Sequence, residues 1–238
     1  MSSKSKIIAF TMKLHDLINH VLLFILKKQR IKTKSPVVKV NLGSGLKVAE
    51  GWINVDGHLQ FLLSKCHRRV LKMVYNVLQT QSRQHTQEEY CSILKNNTFI
   101  YHNIRYGIPF DDNAIDCLYT SHLLEHFFLS DAEVFIKEAY RVLKKDGLMR
   151  ICVPDLEHAV ELYRTGRKKE ALEYFFLPAK VDHYRYHRYL YDFELLEELL
   201  ERAGFRKISK MSYQKGKMPD IQVLDNRPEE TLYVEATK

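Results

Sequence analysis

Two groups of residues in this 238-residue chain have types and spacings that can do chemistry. The first is Gly43-Ser44-Gly45, set directly after the apolar run Val37 to Leu42 and followed, thirteen residues beyond Gly43, by Asp56. Glycines after a buried strand let the backbone turn sharply and let a bound molecule approach the main chain. An acid ending the next short strand, Trp52 to Val55, is placed to accept hydrogen bonds from ribose hydroxyls. The second group is His122, Glu125 and His126, just past the apolar run Ile115 to Thr120. Two imidazoles and a carboxylate can move a proton or hold a divalent ion. On a helix, 122 and 126 form an i, i+4 pair on one side with 125 beside them. His122 is the first choice of general base, assisted by Glu125 or His126; the plainer reading is that Glu125 and His126 tie a helix start to the sheet. His183 or His187 could add a ligand, in which case zinc, iron or manganese suits the donors better than magnesium.

The spacing narrows the cofactor. A dinucleotide-binding fingerprint needs a third glycine, where this chain has Val48, and an acid about 20 residues on. The arrangement is poor for NAD and suits a nucleoside cofactor without a pyrophosphate. Cys66, Cys91, Cys117 and Cys152 form no CxxC pair and no metal-ligand spacing, which predicts a reduced, cytoplasmic setting.

Strands and helices must position these groups. The sequence predicts strands near 37–42, 52–55, 99–102, 115–120, 148–153, 205–211 and 231–236. Helices are expected over much of 59–98, from a capping box at Ser130-Asp131-Ala132-Glu133 to a C′ glycine at Gly147, and over 194–203. Alternating strands and helices predict a doubly wound α/β sheet.

Several runs then carry a family resemblance. Val38 to Gly45, Gly51 to Asp56, Ile108 to Asp112, Leu124-Glu125-His126, Glu138 to Lys144, Arg150 to Leu156 and Leu232 to Ala236 together resemble class I S-adenosylmethionine-dependent methyltransferases of the type 11 group. The wording around Asn41–Asp56 and Arg150–Glu157 is similar to members associated with bacterial cell-surface polysaccharide synthesis. The resemblance spans 37–238 and implies a Rossmann-like, seven-stranded sheet whose last strand is antiparallel. It also implies S-adenosyl-L-methionine as cofactor, with Gly43, Ser44 and Gly45 beside its methionine and ribose parts and Asp56 on the ribose hydroxyls. Asn103 stands where the family usually has an adenine-binding Asp. The stretch 59–98 reads as an insertion that could cap the site or bind a partner. Tyr184, Tyr186, Tyr189 and Tyr191, interleaved with Arg185 and Arg188, suit acceptor binding or a half-buried lid.

The net charge of +8 is uneven: residues 1–35 carry eight bases and one acid, whereas 101–238 carry 21 bases and 24 acids. A domain of that balance is a poor partner for long nucleic acid, whose binding rests on phosphate contacts. Residues 1–35 read as a basic helical arm ahead of a 36–238 catalytic domain. Ile7, Phe10, Leu14, Leu17, Val21 and Phe24 make its apolar stripe, too interrupted by polar residues to span a bilayer. The arm either lies on an anionic inner membrane face or packs on the domain or a second subunit. The expected activity is O-methylation of a glycan or sugar-containing intermediate. Small-molecule or RNA methylation, a non-catalytic cofactor-binding scaffold and an NAD-dependent oxidoreductase are the alternatives.

Overall fold

The computed structural model describes residues 17–78, 85–175 and 186–238. Seven strands form one sheet in the order β3-β2-β1-β4-β5-β7-β6. They are β1 (Lys39–Leu42), β2 (Ile53–Asp56), β3 (Thr98–Tyr101), β4 (Ile115–Ser121), β5 (Leu143–Pro154), β6 (Arg206–Met211) and β7 (Thr231–Thr237). β7 lies antiparallel between β5 and β6, while β3, β2, β1, β4 and β5 run parallel. This is the sheet the sequence predicts. Successive side chains along a strand point to opposite faces, so β4 and β5 serve two cores. Leu118, Ile151 and Val153 pack with α4 (Leu129–Val142) and α7 (Phe193–Ala203). Tyr119 and Cys152 pack with Trp52, Met218 and the short α8 (Ile221–Leu224).

The described residues between β2 and β3 are mostly helical, with a 3-10 segment Leu59–Lys65, then α2 (Arg68–Leu78) and α3 (Gln87–Asn96). They carry a small core of their own around Phe61, Leu71, Tyr90 and Leu94, which meets the sheet where Phe61 stacks on Phe99 at 4.7 Å.

Two expected helix boundaries differ. The capping box at Ser130 does not form: α4 begins at Leu129 behind Phe128, and Glu133 faces Arg202 instead. Gly147 does not cap α4 either. The helix stops at Val142 because Leu143 is already extended and pairs with Ile115; residues 144–147 then bulge out of β5, with Asp146 at φ +63°. The remaining helices, α5 (Leu156–Arg164) and α6 (Lys168–Phe175), follow β5.

A helix over 17–25, α1, docks the arm on the domain. Leu23 is buried, and the Tyr101 hydroxyl donates to Asn19 Oδ1 at 2.7 Å. Gln29 Nε2 donates to the Tyr101 carbonyl and to His102 Nδ1, and Ile31 bridges to Phe110. Of the predicted stripe, Ile7, Phe10 and Leu14 lie outside the described residues.

Arg150 is an arginine inside an apolar strand, fully buried. Its guanidinium bonds Asp225 at 2.6 Å and Glu235 at 3.0 Å, and the carbonyls of Ser212 and Lys215. Removing it leaves two buried carboxylates uncompensated. Arg150→Leu is expected to cost about 3–5 kcal/mol, read as a lower urea midpoint.

Candidate active site

The parallel strands bring the predicted residues to one edge of the sheet. Gly43 follows β1, Asp56 ends β2, Asn103 lies just past β3, and His122 follows β4. Ligands of open α/β sheets bind beyond the carboxyl ends of the strands.

Gly43 has φ +64°, and a Cβ there would stand 3.0 Å from Leu123 Cδ1. Any other residue meets backbone strain and a tight contact with the Leu123 side chain packed on it. Gly45, at φ +50°, has no heavy atom within 4 Å of the position a Cβ would take, so the loop opens onto a cradle. Asp56 closes that loop: its Oδ2 accepts the Gly45 N–H at 3.0 Å and its Oδ1 the His58 N–H at 2.8 Å. Burial pushes the Asp56 carboxyl above its ordinary value, against the pull of those two amides. Ser44 is buried beside it.

Asn103 accepts the Arg105 N–H through Oδ1 at 3.0 Å, capping a 3-10 turn; its Nδ2 has no hydrogen-bond partner among the described residues. A side-chain amide offers one acceptor and one donor to the amino group and neighbouring ring nitrogen of adenine. Leu23 reaches this end of the cleft, 3.6 Å from where a Gly57 Cβ would stand.

The expected helix through 122–126 is absent. His122 takes φ +51°, and only the 3-10 turn Leu124–His126 follows. The left-handed residue swings Leu123 onto Gly43 and breaks the i, i+4 register between the two histidines. Glu125 joins them instead, its Oε1 3.4 Å from His122 Nδ1 and 3.8 Å from His126 Nε2. The Glu125 side chain is 1% exposed, and its Oε2 is buried without a hydrogen-bond partner among the described residues.

The two imidazoles differ in availability. His122 has Thr231 Oγ1 3.2 Å from Nε2 and Arg227 Nη1 3.4 Å from Nδ1, so neighbours occupy both ring nitrogens. His126 Nδ1 lies 3.1 Å from the Tyr186 carbonyl and donates to it, so Nε2 is the ring nitrogen turned toward Glu125.

His187 joins this group, whereas His183 lies outside the described residues. The Glu125 carbonyl accepts the Arg188 N–H at 2.7 Å, which ties the 186–191 segment to the turn. The His126 and His187 rings are 5.5 Å apart. His187 Nδ1 donates to the Tyr174 carbonyl at 2.6 Å, and burial holds its ring below the usual imidazole range. Among the expected tyrosines, Tyr184 is outside the described residues, Tyr191 is fully buried, and Tyr186 and Tyr189 are half-buried.

Residues 68–151 match the family model described as a methyltransferase domain. The matched residues, about a third of the chain, carry a methyltransferase domain. A methyltransferase domain implies S-adenosyl-L-methionine as methyl donor, and the Gly45 cradle with the Asp56 carboxylate fits a ribosyl group. The matched stretch runs from α2 into β5 and holds Asn103 and the His122–His126 turn; Gly43 and Asp56 lie before it. A search of the curated proteins found no match.

Among solved structures, a methyltransferase from Thermotoga maritima, given as a possible histamine N-methyltransferase, is 16% identical over 97% of both chains, with a TM-score of 0.48. An S-adenosylmethionine-dependent methyltransferase from Archaeoglobus fulgidus is 15% identical over 94% of both, also at 0.48. A possible exported protein from Bordetella parapertussis is 12% identical over 96% of this chain and 68% of that one, at 0.51. Identities this low speak to fold, and a fold does not name an acceptor.

Proposed function

We propose that the methyltransferase domain O-methylates a hydroxyl of a glycan or sugar-containing acceptor. The observation that carries this reading is the Glu125-centred imidazole cluster, packed onto the cofactor loop through Leu123. The cofactor supplies an activated methyl on sulfur. Gly43, Ser44 and Gly45 admit it to the main chain, Asp56 orients its ribose and Asn103 its adenine. An alcohol must lose its proton as the new bond forms, so a hydroxyl acceptor has use for this cluster. Free lone pairs there belong to Glu125 Oε2 and His126 Nε2, with His187 adjacent; His122 orients Glu125. The half-buried Tyr186 and Tyr189 beside the cluster suit stacking on a sugar ring. The resemblance of Asn41–Asp56 and Arg150–Glu157 to polysaccharide-associated members supports the acceptor class.

Thermal shift separates this from the alternatives. Stabilisation by S-adenosylmethionine and S-adenosylhomocysteine, and none by NAD, is expected; stabilisation by NAD alone overturns it. Cofactor binding with no transfer to any acceptor fraction favours a scaffold.

A location on an anionic membrane face is part of the same proposal. No helix among the described residues is long and apolar enough to cross a membrane. Leu17, Ile18, Val21, Phe24 and Ile25 are exposed along one side of α1, and Lys27, Lys28, Arg30, Lys32 and Lys34 follow. Apolar side chains beside a cluster of bases fit acidic lipid. Because Leu23, Asn19 and Gln29 anchor the arm, deleting it also strips the domain. The cleaner variant replaces Ile18, Val21 and Ile25 with serine. It is expected to lose flotation with phosphatidylglycerol vesicles and to keep its melting temperature; equal flotation of both proteins, or none by the parent, contradicts the membrane face.

A further inference from the structure

We propose that Glu125, His126 and His187 bind a divalent transition-metal ion. Binding itself stands apart from the methyl-transfer reading; only its use in catalysis rests on that reading.

One ligand atom from each residue lies within 4.8 Å of the others, so small side-chain rotations bring all three to the about 2.0–2.2 Å bonds such ions make. The protonation pattern is already set for it. In both histidines Nδ1 faces a backbone carbonyl, Tyr186 for His126 and Tyr174 for His187. Each Nδ1 therefore carries a proton, and each Nε2 is the ring nitrogen left for an ion. Metal-bound histidines are oriented in this way, by a hydrogen bond from the far ring nitrogen to a carbonyl or carboxylate.

Glu125 supplies the second, independent observation. Its side chain is 1% exposed and Oε2 has no hydrogen-bond partner among the described residues, which for a carboxylate is costly. His122 and His126 approach only Oε1, at 3.4 and 3.8 Å. A cation held by the Glu125 carboxylate and the two imidazoles gives that buried carboxylate the partner it lacks. Two imidazoles with one carboxylate select zinc, iron, manganese or cobalt over magnesium and calcium.

Three protein ligands leave an open position, the arrangement of ions that act on a bound oxygen. An acceptor hydroxyl in that position is more acidic than in water. With the ion bound, Glu125 and His126 would act as its ligands in place of a direct base: the hydroxyl would give its proton to solvent as its oxygen forms the bond to the methyl carbon and the carbon–sulfur bond breaks with its electron pair left on sulfur.

Cobalt(II) is the probe, because its visible absorption reports nitrogen and carboxylate coordination directly. The full chain, stripped with chelator and dialysed, is titrated with cobalt(II) and then with zinc(II). One saturable equivalent is expected, displaced by zinc and unaffected by excess magnesium. His187→Ala and Glu125→Gln are each expected to weaken binding at least ~100-fold. Thermal shift with S-adenosylhomocysteine shows that each variant is folded. Absence of cobalt absorption in the parent protein, or equal binding by His187→Ala, overturns the proposal. If the S-adenosylhomocysteine shift persists without cobalt binding, the metal site fails and the methyltransferase reading stands. Cobalt binding without that shift has the reverse meaning.

Discussion

Asp56→Ala is expected to weaken S-adenosylmethionine binding by at least ~100-fold, at about 1.5–3 kcal/mol for each hydrogen bond to a charged group. Two effects combine. The ribose hydroxyls lose their acceptor, and the Gly45 and His58 amides lose theirs, so the loop that forms the cradle loosens. Asp56→Asn separates the two, since it keeps an oxygen but no charge; an intermediate loss is expected from titration calorimetry. The same residue gives the affinity a pH dependence. Burial raises the Asp56 carboxyl in the free protein, while ribose hydroxyls donating to the carboxylate favour its charged form. The bound pKa therefore lies below the free one. Affinity falls as pH drops through the free value and is restored above it. In Asp56→Ala this titration is expected to vanish; an unchanged profile assigns it to another group.

Glu125→Gln is expected to reduce kcat by about 10²–10⁴-fold, the range for losing a proton-transfer group, while cofactor affinity holds. The stability of this variant is the discriminating part. A buried carboxylate with a bare oxygen costs folding free energy, and an amide of the same shape costs less. The variant is expected to melt no lower than the parent. A residue held for packing behaves in the opposite way, with stability lost and turnover kept. Functional sites commonly carry such a cost.

The frame of this fold was legible because it is written locally. The glycine loop could be read at Gly43-Ser44-Gly45, since left-handed backbone and close approach each demand glycine. Asp56 followed from its place at a strand end. The His122–His126 turn was legible in composition but not in shape. His122 at φ +51° is a conformation that no local pattern announces; it is imposed by Leu123 packing on Gly43 and by the His122 N–H bonding the Cys152 carbonyl at 2.8 Å. The first choice of base changes with it, because the ring nitrogens of His122 have Thr231 and Arg227 as neighbours, both far away in sequence.

His187 was one of two candidates, and only the backbone bonds from 188 and 189 to Glu125 place it. Arg150 reads in sequence as an oddity within an apolar strand; its partners come from the loops after β6 and from β7. The arm taught the reverse lesson. Its apolar period is correctly helical, but the buried contact is Leu23, and the described part of the stripe, Leu17, Val21 and Phe24, remains exposed. Periodicity finds a face without saying what covers it.

The central claim is methyl transfer to a sugar hydroxyl, and alkali tests it most directly. Protein incubated with methyl-labelled S-adenosylmethionine and a glycan-containing cell fraction is expected to leave label in carbohydrate that survives mild alkali, as an ether does. Label released as methanol marks a carboxyl ester, and label confined to protein, RNA or amine fractions marks another acceptor. Either result contradicts the account.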